Sequence, residues 1–282
     1  MTLADNTNDR THKAVSSDGT EIIGAVHGQG PPLVFVHGAM DDGTLQWMPA
    51  VPYLADRFTC HVISMRNRGR SGHSEDLSPP RLVEDVAAYA TSLSGPVGLV
   101  GLSIGGGWVL GAASELEDVT GVVAYEPFVK EVLTEEVFNQ FVDVIMRESA
   151  EAEKGQLAEA VRIFAEFVGN DDEMAALDAV GAFETMGANV PADLAGSQQS
   201  MEHQGASATD ASILAKITAP LLLLQGGRTV ENVRTSNHAG VRHVAEHVPK
   251  ATVHEFADLG HLAPMVAPEP VAREIATFFS RS

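Results

Sequence analysis

The sequence predicts an α/β protein built on a mostly parallel sheet and interrupted once by a long helical insertion. Two observations carry that expectation. Short apolar runs alternate with segments of helical period, the pattern of strands joined by crossover helices. Between Glu126 and Lys216 the strand signals stop and only helical periodicity remains.

The elements follow in order. Residues 21–27 have strand character, and a Gly-Gln-Gly-Pro-Pro turn then leads into residues 33–36, an apolar run with the look of a buried strand. Residues 59–64 and 97–102 are the next strands, and a helix rich in small residues is expected over 104–117. Residues 121–125, 220–225 and 252–256 complete the strands, and residues 271–279 close the chain with helical spacing. In the insertion, Phe138, Phe141, Val142, Ile145 and Met146 recur at i, i+3, i+4, i+7 and i+8, one face of a helix. Leu157, Val161, Phe164 and Val168 repeat that spacing on a second helix.

Charge narrows the partners. The chain of 282 residues carries 18 Lys and Arg against 38 Asp and Glu, a formal net charge of −20. That argues against a nucleic-acid binder, which needs basic surface, and against docking on anionic membranes. Residues 127–215 hold 17 acidic and 4 basic side chains, so −13 of the −20 falls there, together with six of the eleven Phe. This is the composition of a helical unit with an acidic outer face and apolar inner faces. Cys60 is the only cysteine, which excludes an intramolecular disulfide framework and a multi-cysteine metal centre. Residues 1–12 are polar and without a signal-peptide core, and no apolar run is long enough to span a bilayer, so a cytoplasmic location is the expectation.

Gly101-Leu102-Ser103-Ile104-Gly105 is a G-x-S-x-G, flanked by an apolar strand before it and a small-residue helix after it. That context is what a nucleophile elbow requires: a strained turn that exposes the serine hydroxyl, with bulk forbidden two residues to either side. No G-x-x-x-x-G-K-[ST] is present, so a phosphate-loop reading fails. Val36-His37-Gly38-Ala39 ends an earlier strand. Its turn would give the Ala39 N–H, and the elbow the Ile104 N–H, as two donors converging on one oxyanion. His37 itself is expected to be structural. Among eleven histidines, His261 in Asp258-Leu259-Gly260-His261 lies just beyond the last strand, on a loop suited to a general base.

The His-Gly turn, the elbow, the helical insertion and the late Gly-His together resemble the α/β-hydrolases over nearly the whole chain, from about Lys13 to Phe279. The resemblance implies the α/β-hydrolase fold, with an eight-stranded, mostly parallel sheet flanked by helices and a helical cap inserted after the sixth strand. It divides the chain into a core of residues 13–126 and 216–282, a cap of residues 127–215 and a flexible tail of residues 1–12.

Most members of that family carry an Asp after the seventh strand. Here Gly226-Gly227-Arg228-Thr229 puts Thr229 in its place, and a threonine cannot hold an imidazole in one tautomer or balance an imidazolium. Glu126 is the first choice for the acid, because Ala124-Tyr125-Glu126-Pro127 sets a carboxylate at the carboxyl edge of the sheet. Zearalenone lactonases and a group of bacterial α/β-hydrolases are similar in this respect. Glu231 and Asp258 are the competing carboxylates, and a helix-capping role is the structural alternative for Glu126.

Two further signals are set aside. His243-Val244-Ala245-Glu246-His247 matches H-x-x-E-H, but no third ligand accompanies it and a crossover helix is expected there, so no metal is assigned. The basic run Arg66-Asn67-Arg68-Gly69-Arg70 is assigned to loop structure, and Trp108 to helix-to-sheet packing. Gly38, Met40, Trp47, Phe128, Phe138, Phe164, Phe183 and Met186 are the candidates to line the substrate cavity. The implied function is a serine hydrolase without cofactor. It would act on an ester or lactone of an apolar, neutral small molecule, with a zearalenone-type lactone as one option. The same residues would also serve a cofactor-free perhydrolase or a carbon–carbon hydrolase, and a non-catalytic binding protein is the rival from another class.

Overall fold

Arg10–Val15 (β1), Glu21–Gly28 (β2), Pro32–Val36 (β3), Thr59–Ser64 (β4), Val97–Leu102 (β5), Val119–Tyr125 (β6), Leu221–Gly226 (β7) and Ala251–Phe256 (β8) form one sheet. Their spatial order is β1-β2-β4-β3-β5-β6-β7-β8 in this computed structural model, which describes residues 10–281. The β1–β2 and β2–β4 ladders are antiparallel and the other five are parallel. This is the α/β-hydrolase architecture: an eight-stranded, mostly parallel sheet flanked by helices, with a helical insert after β6.

The first strand corrects the proposed tail. Residues 10–12 pair with Val26, Ala25 and Gly24 of β2, so the sheet begins at Arg10 rather than Lys13. The part of the tail at residues 1–9 lies outside the described residues. The Arg-Thr-His-Lys run hides the strand because this edge position buries little: of β1, only Ala14 is buried. Central strands read more plainly, since β5 is buried at all six positions and both its faces meet helices.

Pro79–Thr91 (α1) and Ile104–Ala113 (α2) pack on one face of the sheet, joined there by the later helix Glu231–His247. The closing helix, Pro268–Phe279, covers the other face with Val271, Ala272, Ile275, Ala276 and Phe279, helped by the short turn Met48–Tyr53. Strand β3 is central: β4 lies on one side of it and β5 on the other. The chain therefore leaves β3 and β5 toward opposite faces, opening a crevice beyond their carboxyl ends where α/β sheets hold ligands.

Between β6 and β7 the chain forms Glu135–Glu153 (α3), Leu157–Val168 (α4), Asp171–Ala179 (α5), Ala182–Met186 (α6), Val190–Glu202 (α7) and Ala211–Leu214 (α8). Helix starts here are chemically explicit. The Thr134 hydroxyl accepts the Val137 N–H at 3.2 Å, and Asn170 with Glu173 makes a reciprocal capping box at the start of α5. Helices α4 to α6 share a small core of their own with Met40 and Leu262 from the sheet side. The remaining helices are Glu231–His247 (α9), Ala263–Val266 (α10) and Pro268–Phe279 (α11). None of the described helices is long and apolar enough to cross a membrane.

Candidate active site

Ser103 follows β5 directly and adopts φ 54° and ψ −122°, a conformation an L-residue holds only when its surroundings impose it. The turn is pinned by three backbone hydrogen bonds. The Ser103 N–H donates to the Tyr125 carbonyl (2.9 Å), and the Ser103 carbonyl accepts from Phe128 (3.0 Å) and Gly107 (3.3 Å). The flanking glycines are required sterically, because a Cβ at Gly101 would strike the Gly105 carbonyl and one at Gly105 would strike the His37 carbonyl. Strand β5 thus meets the loop after β3 at van der Waals distance, and Gly38 lies against the Ser103 side chain.

That loop is held by Gln46, which sequence reasoning did not single out. Its Oε1 accepts the Gly38 N–H (2.6 Å) and its Nε2 donates to the Ala39 carbonyl (2.9 Å). Asp41 in turn accepts the backbone N–H groups of Gly43, Leu45 and Gln46, and burial pushes its carboxyl up to about 6. The N–H groups of Ala39 and Ile104 have no hydrogen-bond partner outside α2 among the described residues. His37 is fully buried: Nδ1 donates to the Gly38 carbonyl (2.7 Å) and Nε2 accepts the Met65 N–H (3.1 Å). Burial, with the nearby Arg68 charge, pushes its imidazole down to about 3, so it stays neutral and structural.

Glu126 directly follows β6 with φ 39°, another strained position, and none of its surface reaches solvent. Its carboxylate receives four donors. Oε1 accepts the Gly226 N–H (2.9 Å) and the Thr229 hydroxyl (2.7 Å). Oε2 accepts the Asn237 amide (2.9 Å) and His261 Nδ1 (2.6 Å). Burial alone would raise this carboxyl, but the His261 hydrogen bond and charge, aided by Gly226 and Thr229, outweigh it and hold Glu126 below the usual carboxylate range. A carboxylate only accepts, so the His261 proton sits on Nδ1 and leaves Nε2 free to take another.

His261 reaches Glu126 because its loop folds back over the end of β7. The Tyr125 hydroxyl donates to the Gly260 carbonyl (2.7 Å), and a Cβ at Gly226 would collide with Leu259 and Gly260. From the other side the capping-box residue Glu173 accepts the Leu262 N–H at 2.8 Å, tying the loop to the start of α5. Of the three carboxylates considered, Glu126 alone meets the imidazole. Glu231 is exposed at the start of α9 and pairs with Arg234, and Asp258 is exposed. Among the described residues no hydrogen bond joins Ser103 to His261. Catalytic contacts of this kind are often long before substrate arrives.

A cavity of about 230 Å³ opens above Ser103, between the sheet edge and the inserted helices. Of the expected lining residues, Met40, Phe128, Phe138 and Phe164 border it, as do Ala39 and Ile104. Trp47, Phe183 and Met186 do not. Trp47 is packed between sheet and α11, donating its indole N–H to the Val36 carbonyl (2.9 Å), while Phe183 and Met186 belong to the insert's own core. Gly38 stands behind Ser103 rather than on the cavity wall. Helical period identifies an apolar face but not whether that face meets a core or a void. Trp108 packs in the main core, as expected, and also borders the cavity, and so does Arg68, read as a loop residue. Arg66 is structural, fully buried against Asp85 (2.6 Å) and Asp18 (2.9 Å). The H-x-x-E-H histidines spend themselves on backbone carbonyls of Thr209 and His243, and no metal-binding cluster occurs among the described residues.

Residues 33–274 match the alpha/beta hydrolase family. Over 98 residues, 34% of the chain, the sequence is 40% identical to a pimeloyl-[acyl-carrier protein] methyl ester esterase of Stenotrophomonas maltophilia. That stretch spans about a third, 36%, of the relative's length. Among solved structures, an alpha/beta hydrolase from Sphaerobacter thermophilus is 26% identical with a TM-score of 0.72, over 95% of this chain and 100% of that one. An esterase from Rhodococcus sp. (21% identical, TM-score 0.76) is matched over 96% of this chain and 98% of its own. The enol-lactonase from Burkholderia xenovorans (19%, TM-score 0.73) is matched over 96% and 100%. At these identities the last two speak for the fold alone.

Proposed function

The chain belongs to the alpha/beta hydrolase family, and from that premise we propose that it cleaves carboxylic esters or lactones of apolar, neutral small molecules by way of Ser103, His261 and Glu126. The observation that carries the proposal is the 2.6 Å bond from His261 Nδ1 to the fully buried Glu126 carboxylate. It fixes the imidazole in the tautomer whose Nε2 can accept a proton, and it balances the imidazolium that forms.

In the proposed reaction the Ser103 hydroxyl attacks the carbonyl carbon as His261 Nε2 takes its proton. The tetrahedral oxyanion is held by the Ala39 and Ile104 N–H groups, which have no competing partner among the described residues. His261 then returns the proton to the departing alkoxide, and the acyl group remains on Ser103. Water, deprotonated by His261 Nε2, attacks the acyl carbon, and the bond to the Ser103 oxygen breaks as the imidazolium returns that proton to it, releasing the acid and free serine. The inserted helices act as the cap over this site. Phe128, Phe138 and Phe164 line the cavity they enclose and favour an apolar substrate.

A fluorophosphonate probe tests the assignment. Wild-type protein should label at Ser103 and Ser103→Ala should not. Aryl esters of rising chain length and macrocyclic lactones should be hydrolysed by the wild type alone. Folded wild-type protein that neither labels nor turns over any member of that panel would end the proposal.

A further inference from the structure

Part of the cavity lining is charged and deeply buried. Arg68, from the loop after β4, and Glu148, from α3, both border it and both are at least 95% buried. Asp193, from α7, pairs with Arg68 and its charge acts on Glu148. Its Oδ1 accepts Arg68 Nη2 at 2.6 Å and its Oδ2 accepts the Met40 N–H at 2.9 Å, so both of its oxygens are engaged.

The hydrogen-bond inventory of this lining does not close. Arg68 Nε and Nη1 are buried without a partner, and so is Glu148 Oε1. Each such orphan is expensive, and native proteins rarely leave three on the lining of one cavity unless something else completes them. Groups that complete the inventory would accept from the guanidinium or meet the carboxyl oxygen. Burial, with the Asp193 charge beside it, pushes Glu148 up to about 8, so at neutral pH it is mostly the protonated acid and retains a carbonyl oxygen able to accept. Arg68 is already balanced by Asp193, which leaves no surplus positive charge for an anion.

We propose that Arg68 and Glu148 form a polar subsite for an uncharged hydroxyl group on an otherwise apolar substrate. A hydroxyl oxygen can accept from Arg68, and a hydroxyl hydrogen can be donated to Glu148 Oε1. A carboxylate fits poorly, because it would approach the Asp193 carboxylate that already balances Arg68. The subsite gives the proposed hydrolase a substrate class, and it rests on that reading for its setting in a substrate cavity.

Binding separates the two claims. Calorimetry on Ser103→Ala would compare 2-phenylethyl butanoate with its 4-hydroxyphenyl analogue, and methyl 3-phenylpropanoate with its 4-hydroxyphenyl analogue. The two pairs put the hydroxyl on either side of the ester. At least one hydroxylated ester should bind about tenfold more tightly than its parent, the scale of a single buried hydrogen bond. Adding Glu148→Leu should erase the difference, and Glu148→Gln, which keeps an acceptor oxygen, should retain most of it. The 4-carboxyphenyl analogues should bind more weakly than the phenols. Equal affinities within both pairs, a preference that survives Glu148→Leu, or tighter binding of the carboxylate overturns the subsite. If ordered water completes the lining instead, the pairs bind equally. Turnover of the same esters by wild-type protein reports separately on the hydrolase reading.

Discussion

Thr229 donates its hydroxyl to Glu126 Oε1 at 2.7 Å. Thr229, the position after β7 where the resemblance to most α/β-hydrolases would place the acid, is therefore a donor to the carboxylate proposed for that role. Glu126 follows β6, which lies between β5 and β7, and the loop after β8 folds back across β7 to reach it.

On the proposed mechanism Glu126→Gln removes the charge that balances the imidazolium and puts a competing amide against Nδ1. Turnover of an activated ester should fall by roughly 10²–10⁴-fold, while Glu231→Gln should stay within about twofold of wild type. Steady-state kinetics on both variants checks this. Loss of activity in the Glu231 variant, with the Glu126 variant active, would transfer the role.

Thr229→Val removes one of the four donors that hold Glu126 ionised, so the carboxyl moves up toward its ordinary value. The acid limb of the kcat/KM profile should shift to higher pH, with kcat reduced about three- to tenfold, and Thr229→Ser should restore both. Because Glu126 and His261 are hydrogen-bonded, the shift belongs to the pair rather than to one group. A profile identical to wild type would mean that Thr229 only fills space.

Gln46 grips both Gly38 and Ala39. Gln46→Leu frees the loop that aims the Ala39 N–H and leaves the Gly38 N–H unpaired. The expected result is a kcat about 10- to 100-fold lower with KM little changed, a smaller loss than deleting an oxyanion donor outright. A rise in KM at constant kcat would instead make Gln46 a substrate-binding residue.

How far the site is legible in sequence depends on how local its chemistry is. The Ser103 elbow is contiguous and its glycines are demanded by sterics, so five residues reveal it. Glu126 is visible because a carboxylate directly after a buried strand is rare without a partner. Gln46 and Glu173 have no such signature. Each acts on backbone groups, and Glu173 lies 89 residues from the Leu262 N–H it accepts. The Arg68–Asp193 pair spans 125 residues and joins core to insert, a match that no periodicity can report. Strand β1 is missed for the opposite reason, since its edge position leaves it polar.

Ser103 should be replaceable without loss of structure, and one replacement should strengthen it. At φ 54° a Cβ is strained, and alanine keeps that Cβ whereas glycine removes it. Ser103→Ala should leave the melting temperature near that of wild type. Ser103→Gly should exceed Ser103→Ala by about 1 kcal/mol, the strain relieved less the extra freedom glycine gains when unfolded. Both should fail to label with a fluorophosphonate. A Ser103→Gly protein less stable than Ser103→Ala would show that the turn is not strained by its side chain.

Glu148 gives the molecule a stability that declines with pH. Its carboxyl titrates near 4.5 in the unfolded chain and near 8 when folded, raised by burial and by Asp193. Between those values the folded protein holds a proton that the unfolded chain has released, so unfolding becomes easier as pH rises. The contribution is intact below about pH 4.5 and is lost by about pH 8, at up to about 1.4 kcal/mol per unit. Glu148→Gln has nothing to titrate there and should lack this term. The melting temperature of Glu148→Gln relative to wild type should therefore climb steadily from pH 5 to pH 8 and level off above it. A difference that stays constant across that range would mean that Glu148 is ionised in the folded protein, balanced by a cation other than the Asp193-paired Arg68.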